Sequence, residues 1–149
     1  SMIIENKEGD LLLRHIGGKS PNTTAQSYFG EGPAFSGNPT PDNRTFSYDT
    51  QRQVFGVHGF GDFRQPSLKI AHANNELTQF KLTSSEILSA KEATGLPNPH
   101  STEDAETLVL TLEDKVASLE LKLYYTAYAD CSTISTHAEV RNLSDKAVV

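Results

Sequence analysis

Tryptophan is absent from this 149-residue chain, cysteine and methionine each occur once, and only 8% of residues are aromatic. With Cys131 alone, no internal disulfide framework and no cysteine metal cage can form, and a reducing, cytoplasmic compartment is the expectation. No apolar run approaches the roughly 18 residues that a membrane helix needs. The opening Ser1-Met2-Ile3-Ile4-Glu5 has neither the basic nor the apolar region of a secretion signal. Residues 1-2 read as a cloning remnant. Runs of basic residues are also missing: 13 Lys and Arg stand against 19 Asp and Glu, for a net charge of -6. The cations are scattered from Lys7 to Lys146, which excludes the electrostatic footprint of a nucleic-acid or anionic-membrane partner.

A chain of this length buries roughly 70% of its unfolded surface as one domain without covalent staples. No internal repeat or linker divides it, so residues 3-149 read as a single domain. From Gly17 to about Pro41 the composition is that of a long loop. Gly17-Gly18, Ser20-Pro21-Asn22, Gly30-Glu31-Gly32-Pro33 and Ser36-Gly37-Asn38-Pro39-Thr40-Pro41 are successive turn clusters. Loops of more than about 15 residues in compact domains are often functional.

The C-terminal third carries the strongest periodicity. Leu108, Leu110 and Leu112 alternate with Thr107, Val109 and Thr111, and Glu113-Asp114-Lys115 makes a turn. Leu119, Leu121, Leu123 and Tyr125 alternate with Glu120, Lys122 and Tyr124. Ile134, Thr136, Ala138 and Val140 then alternate with Ser135, His137, Glu139 and Arg141. Period-two patterning predicts strands with one dry and one wet face, here three in an antiparallel meander. Residues 11–16, 53–57, 67–73 and 78–82 are weaker strand candidates. The expected fold is an all-β antiparallel sandwich. One segment, residues 84–95 (SSEILSAKEATG), has the local signals of a short helix, with Ser at its start and Gly at its end. Sheet context can override such propensity, and both readings stand.

Residues with chemical potential are few. The five histidines, His15, His58, His72, His100 and His137, never take the spacing of a zinc ligand pair, so no metal site is expected. No Gly-x-Ser-x-Gly elbow occurs, and residues 56–61 (GVHGFG) match neither a dinucleotide fingerprint nor a phosphate loop. The string Gly61-Asp62-Phe63-Arg64-Gln65-Pro66 is more specific. In a strand, Asp62 and Arg64 share one face as an ion pair, and Phe63 points the other way, into the core. That pair would either pin a strand to a neighbouring loop or touch a ligand. Arg44, in Pro41-Asp42-Asn43-Arg44-Thr45-Phe46-Ser47, follows the long loop with Phe46 as an anchor. Its planar fork of five donors suits hydroxyls or carboxylates, although an ordinary surface arginine would look the same.

These strings, in this order, resemble the N-terminal β-domain of the bacterial α-galactosidases of glycoside hydrolase family 36. Residues 11–19 (LLLRHIGGK), 35–47 (FSGNPTPDNRTFS) and 61–66 (GDFRQP) are similar to successive family segments. Gly95-Leu96-Pro97, Ala105-Glu106-Thr107-Leu108 with Leu112-Glu113-Asp114, and Tyr125-Thr126-Ala127-Tyr128 complete the series. The resemblance implies part of a larger β-supersandwich preceding a catalytic (β/α)-barrel that this chain lacks. The two catalytic aspartates of a retaining mechanism would lie in that barrel, so this piece alone is expected to be inactive. No cofactor is implied.

In tetrameric members the Arg-Thr-Phe-Ser loop reaches a neighbouring subunit's active site, and Arg44 is the matching sugar contact. Where the family loop often has an aspartate, this sequence has Gly32, with Glu31 beside it as the remaining acidic candidate. His137 stands in Ile134-Ser135-Thr136-His137, where the family tends to have Ile-Thr-Arg-Ser. The resemblance also turns the Ser84 segment toward strand and loop. The implied partners are the rest of the parent chain, neighbouring subunits and, through the parent, a galactoside such as melibiose or raffinose. An autonomous carbohydrate-binding module and a purely structural β-domain are the alternatives.

Overall fold

A computed structural model describes residues 1–19, 48, 51–59, 62–71, 77–89 and 104–148. Its regular elements are all strands: β1 (Met2–Lys7), β2 (Asp10–Ile16), β3 (Lys81–Leu88), β4 (Ala105–Asp114), β5 (Leu119–Tyr128) and β6 (Thr133–Asn142). They form an antiparallel β1-β2 sheet and a four-stranded sheet in the order β3-β4-β5-β6. The chain forms two compact units, one of Ser1–Lys81 with Lys146–Val149 and the other of Leu82–Asp145.

In the first unit, β1 and β2 make a hairpin whose two-residue connection, Glu8-Gly9, has positive φ at both positions (53° and 90°). That conformation matches the right-handed twist of the strands it joins. The Asn6 side-chain oxygen fastens the turn by accepting from the Gly9 amide at 2.9 Å. Met2 opens β1, a strand the periodicity missed because it is half-buried along most of its length. β2 lies where expected and buries Leu11, Leu12 and Arg14. Two of the weaker candidates do not become strands. Gln53 makes one bridge to Leu12, and Val57 makes one to Leu68. Residues 78–80 run irregularly into β3.

In the second unit the meander β4-β5-β6 is as the alternation predicts. The β4–β5 turn is capped by Asp114, whose carboxylate accepts from the Val116 and Ala117 amides, both at 2.9 Å. The buried phase differs from the expected one. In β4 the buried residues are Ala105, Thr107 and Val109, then Leu110, Leu112 and Asp114. In β5 they are Leu119, Leu121 and Leu123, then Tyr124, Thr126 and Tyr128. Neighbours in a strand face opposite ways, and Val109 pairs with Tyr124 as Leu110 pairs with Leu123. The sheet therefore buries one face at one end and the opposite face at the other. Leu108 and Tyr125, expected in the dry row, are only half-buried. Thr107 and Thr126 take up buried positions on the exchanged face, and their hydroxyls satisfy each other at 2.9 Å. Such a cross-strand pair removes the penalty of burying either hydroxyl alone.

Of the two readings left open for residues 84–95, the described part takes the strand, since residues 81–88 form β3. Pairing with β4, reinforced by the Thr83 hydroxyl donating to the Thr111 carbonyl at 3.0 Å, overrides the local helix signals. On the other side β6 is largely exposed. His137 stacks on Tyr124 directly opposite, with ring centres 4.2 Å apart and planes 6° from parallel.

Candidate functional site

The described polar residues of the first unit converge on the segment around Tyr48 and Gln51. Asp62 and Arg64 are brought together as the sequence suggests, although in a turn rather than a strand. The Asp62 amide donates to the Gly59 carbonyl at 3.2 Å, and Gly59 has a φ of 109° that suits glycine. Arg64 Nε and Nη2 grip the two Asp62 carboxylate oxygens at 2.8 and 2.7 Å. This fork-on-carboxylate geometry is the strong, directional form of the ion pair. Asp62 also accepts from the Arg64 amide at 3.1 Å and from Gln53 Nε2 at 2.9 Å. Burial opposes its charge, but the Arg64 hydrogen bonds, the Arg64 charge and the Gln53 bond outweigh it. The Asp62 carboxyl is held below the usual aspartate range.

Arg64 reaches further. Its Nη2 also donates to the main-chain carbonyls of Tyr48, at 2.6 Å, and Gln51, at 2.7 Å. The Asp62 side chain is 5% exposed and that of Arg64 48%, so a buried carboxylate orients a half-exposed cation. Phe63 does not enter the core as expected; it is 86% exposed. In a turn that aims Asp62 and Arg64 at the chain's own polar groups, the residue between them faces outward.

A second arginine meets Gln51 through its side chain. Arg14, 4% exposed on β2, donates from Nη1 to the Gln51 side-chain oxygen at 3.0 Å and pairs with the Glu5 carboxylate. Tyr48 is fastened through its hydroxyl, which donates to Asp10 at 2.8 Å. The other Asp10 oxygen accepts from Lys81 Nζ at 2.7 Å. Burial, then the Asp10 charge, pushes the Tyr48 hydroxyl far above the ordinary tyrosine value. Beside this group is a cavity of about 20 Å³ lined by Asp10, Tyr48, Gln53, Thr78, Gln79 and Phe80. It has room for a single water-sized molecule, not for a sugar.

Arg44 and Glu31, like the segment from residue 20 to 41 expected to be a long loop, lie outside the described residues. Sequence reading found the Asp62–Arg64 pair but not its acceptors, because carbonyls carry no residue signature. Asp10, Gln51 and Lys81 join the group through tertiary contacts that no spacing announces. Among the described residues no cluster of three or more His, Cys, Asp or Glu is suited to a metal ion.

The described architecture is that of an antiparallel all-β domain. Residues 9–149 match the family model described as the glycosyl hydrolase family 36 N-terminal domain, and the chain belongs to that family. It is 36% identical over 113 residues to alpha-galactosidase AgaA of Geobacillus stearothermophilus, covering 73% of this chain and 16% of that protein. It is 35% identical over 146 residues to alpha-galactosidase Mel36A of Lactobacillus acidophilus, covering 94% of this chain and 20% of the relative. The crystal structure of AgaA superposes with a TM-score of 0.87 at 30% identity, over 95% of this chain and 20% of AgaA. An AgaA variant has also been solved in complex with raffinose, with a TM-score of 0.86 at 31% identity over 95% of this chain and 20% of that one. The chain thus spans a fifth or less of the length of these relatives.

Proposed function

We propose that this domain is the non-catalytic N-terminal part of a cytoplasmic bacterial α-galactosidase that hydrolyses terminal α-galactosides such as melibiose and raffinose. The observation that carries this reading is the family match over residues 9–149, in a chain that covers only about a fifth of relatives named α-galactosidases. The domain contributes to assembly of a homo-oligomer and to the substrate pocket of a neighbouring subunit. The paired aspartates of a retaining mechanism belong to the remainder of the enzyme, where one attacks the anomeric carbon and the other serves as acid and base. Arg44 is the residue of this chain that contacts the sugar, through a guanidinium fork that donates to hydroxyls. Glu31 is the weaker acidic candidate on the same loop.

The test is steady-state kinetics of the full-length enzyme carrying Arg44→Ala. The Michaelis constant for raffinose rises while the maximal rate is retained, as for a lost binding contact away from the reacting bond. Unchanged kinetics would remove the pocket role. A second reading, an autonomous carbohydrate-binding module, is favoured by one observation, the exposed ring of Phe63. Calorimetric titration of the isolated domain with galactose, melibiose and raffinose separates the two. Saturable heat from the domain alone supports the module, and none supports the accessory role.

A further inference from the structure

We propose that two copies of this chain join edge to edge through β6, antiparallel about a two-fold axis at Ala138, so that two four-stranded sheets become one of eight strands. The inference goes beyond the preceding reading: it is drawn from the outer edge of the described sheet and requires no α-galactosidase activity.

Burial of one sheet face stops between β5 and β6. Leu112, Leu121 and Val140 stand in one row across β4, β5 and β6, and Leu110, Leu123 and Ala138 stand in the next. The four leucines are at most 5% exposed, whereas Val140 is 41% exposed and Ala138 is exposed beside it. β6 is the last strand of the sheet, and no described strand pairs with its outer edge. Edge strands ordinarily carry a device against further pairing, such as a Pro, a bulge, a charge on the apolar face or a very short run. β6 has none of these. It is ten residues long, contains no Pro and keeps an unbroken register with β5 from Thr133 to Asn142. Its charged residues, Glu139 and Arg141, lie on the face opposite Ala138. The other edge strand, β3, instead presents four consecutive exposed polar residues, Thr83 to Glu86.

The sequence of β6 suits a second copy of itself. Side chains alternate between faces, so an antiparallel pair whose two-fold axis passes through a residue keeps the apolar rows of both copies on one face. An axis at Glu139 would set two carboxylates together and His137 against Arg141, and like charges directly opposite are unfavourable. An axis at His137 would bring two imidazoles together. One at Val140 would leave half of β6 unpaired, and one at Thr136 would leave Val140 itself unpaired. The axis at Ala138 aligns residues 134–142 end to end. Ala138 then meets its own copy, Val140 meets Thr136, Glu139 meets His137 and Arg141 meets Ser135, with no two like charges opposed. The row Leu110-Leu123-Ala138 continues into its own mirror, Ala138-Leu123-Leu110, which supplies the apolar neighbour that Ala138 lacks. Such an interface is self-complementary and closed, the form that two-fold dimers take.

The experiment is analytical ultracentrifugation of the 149-residue chain. It should show twice the mass of one chain at high concentration and the mass of one chain after dilution. Ala138→Lys places two ammonium groups at the axis, on a position exposed in the single chain, and should weaken the association about tenfold with the circular dichroism spectrum retained. A cross-linking pair tests the register independently of that variant. In a Cys131→Ser background, Ala138→Cys should give a disulfide-linked dimer on mild oxidation, because directly opposed residues lie about 4.5–5.5 Å apart at Cα, within the span of a disulfide. Ile134→Cys in the same background should give none, since its two copies would be about 26 Å apart. A chain that stays monomeric at every concentration overturns the proposal. So does a dimer that Ala138→Lys leaves intact, cross-linking at Ile134 in place of Ala138, or growth into open-ended polymers. None of these readouts uses sugar or activity, so their failure leaves the α-galactosidase reading standing, and the Arg44→Ala kinetics leave this interface untouched.

Discussion

Replacing Arg14 with Ala tests how far a buried cation holds the first unit together. Arg14 is 4% exposed and Gln51 2%, and the Gln51 Nε2 atom is already without a partner among the described residues. Removing the guanidinium takes the Nη1 donor from the Gln51 oxygen and leaves that amide unsatisfied at both ends. A buried polar group orphaned in this way costs about 1–3 kcal/mol. The methylene stem of Arg14 packs as apolar surface, and its loss adds about 1 kcal/mol. Glu5 limits the total: its side chain is 40% exposed and rehydrates, so the about 3–5 kcal/mol of a fully buried broken ion pair does not apply. The expected destabilisation is about 3 kcal/mol, a drop of roughly 10 °C in melting temperature for a chain of this size. Urea unfolding of the isolated chain followed by far-ultraviolet circular dichroism reads it directly. Arg14→Met, which keeps the stem, should recover about 1 kcal/mol. A loss below about 1 kcal/mol for Arg14→Ala would refute the reasoning, since it would mean Gln51 is satisfied without Arg14.

Thr78 gives the opposite sign: its hydroxyl is buried without a partner among the described residues, so Thr78→Val should be neutral or stabilising by about 1 kcal/mol. A loss above about 1 kcal/mol in the same urea assay would instead place a water in the adjoining cavity with Thr78 as one of its partners. Both ends of the pH profile carry a signature. With the Asp62 carboxyl held low, its contribution is present above about pH 3.9, the unfolded value, and disappears as pH falls through the folded value. Asp62→Asn should flatten that acid limb. Burial pushes the Tyr125 hydroxyl up to about 12, so the unfolded chain ionises first and stability falls as pH rises from about 10. Tyr125→Phe should remove that decline, and an unaltered alkaline limb would contradict the assignment.

Much of the sheet was legible because side-chain alternation survives folding: β4, β5 and β6 lie where Leu108 to Leu112, Leu119 to Tyr125 and Ile134 to Val140 predict them. β1 was not legible, since residues half-buried on both faces leave no periodic contrast. β3 was left open locally because Ser-Ser-Glu-Ile-Leu has helix-compatible propensities, and only the neighbouring β4 decides between helix and strand. In the candidate site, opposite charges two residues apart announced the Asp62–Arg64 pair. The carbonyls that give the pair its purpose are chemically identical in every residue and were invisible. Phe63 went the wrong way because alternation was assumed where the chain in fact turns.

The exchange of buried faces between β4 and β5 has a consequence for interpreting variation in this domain. Val109-Leu110 lies opposite Leu123-Tyr124, and all four side chains are at most 5% exposed. Two adjacent apolar residues facing two others form a knot at which inside and outside trade places, and tolerance to substitution must invert there. Polar replacements on one side of the knot are harmless at positions that would be ruinous, with the same parity, on the other. The knot also fixes alignment. Sliding either strand by one step would set an apolar doublet against a residue of the wrong phase, so these four side chains keep β4 and β5 in step where the alternation itself reverses.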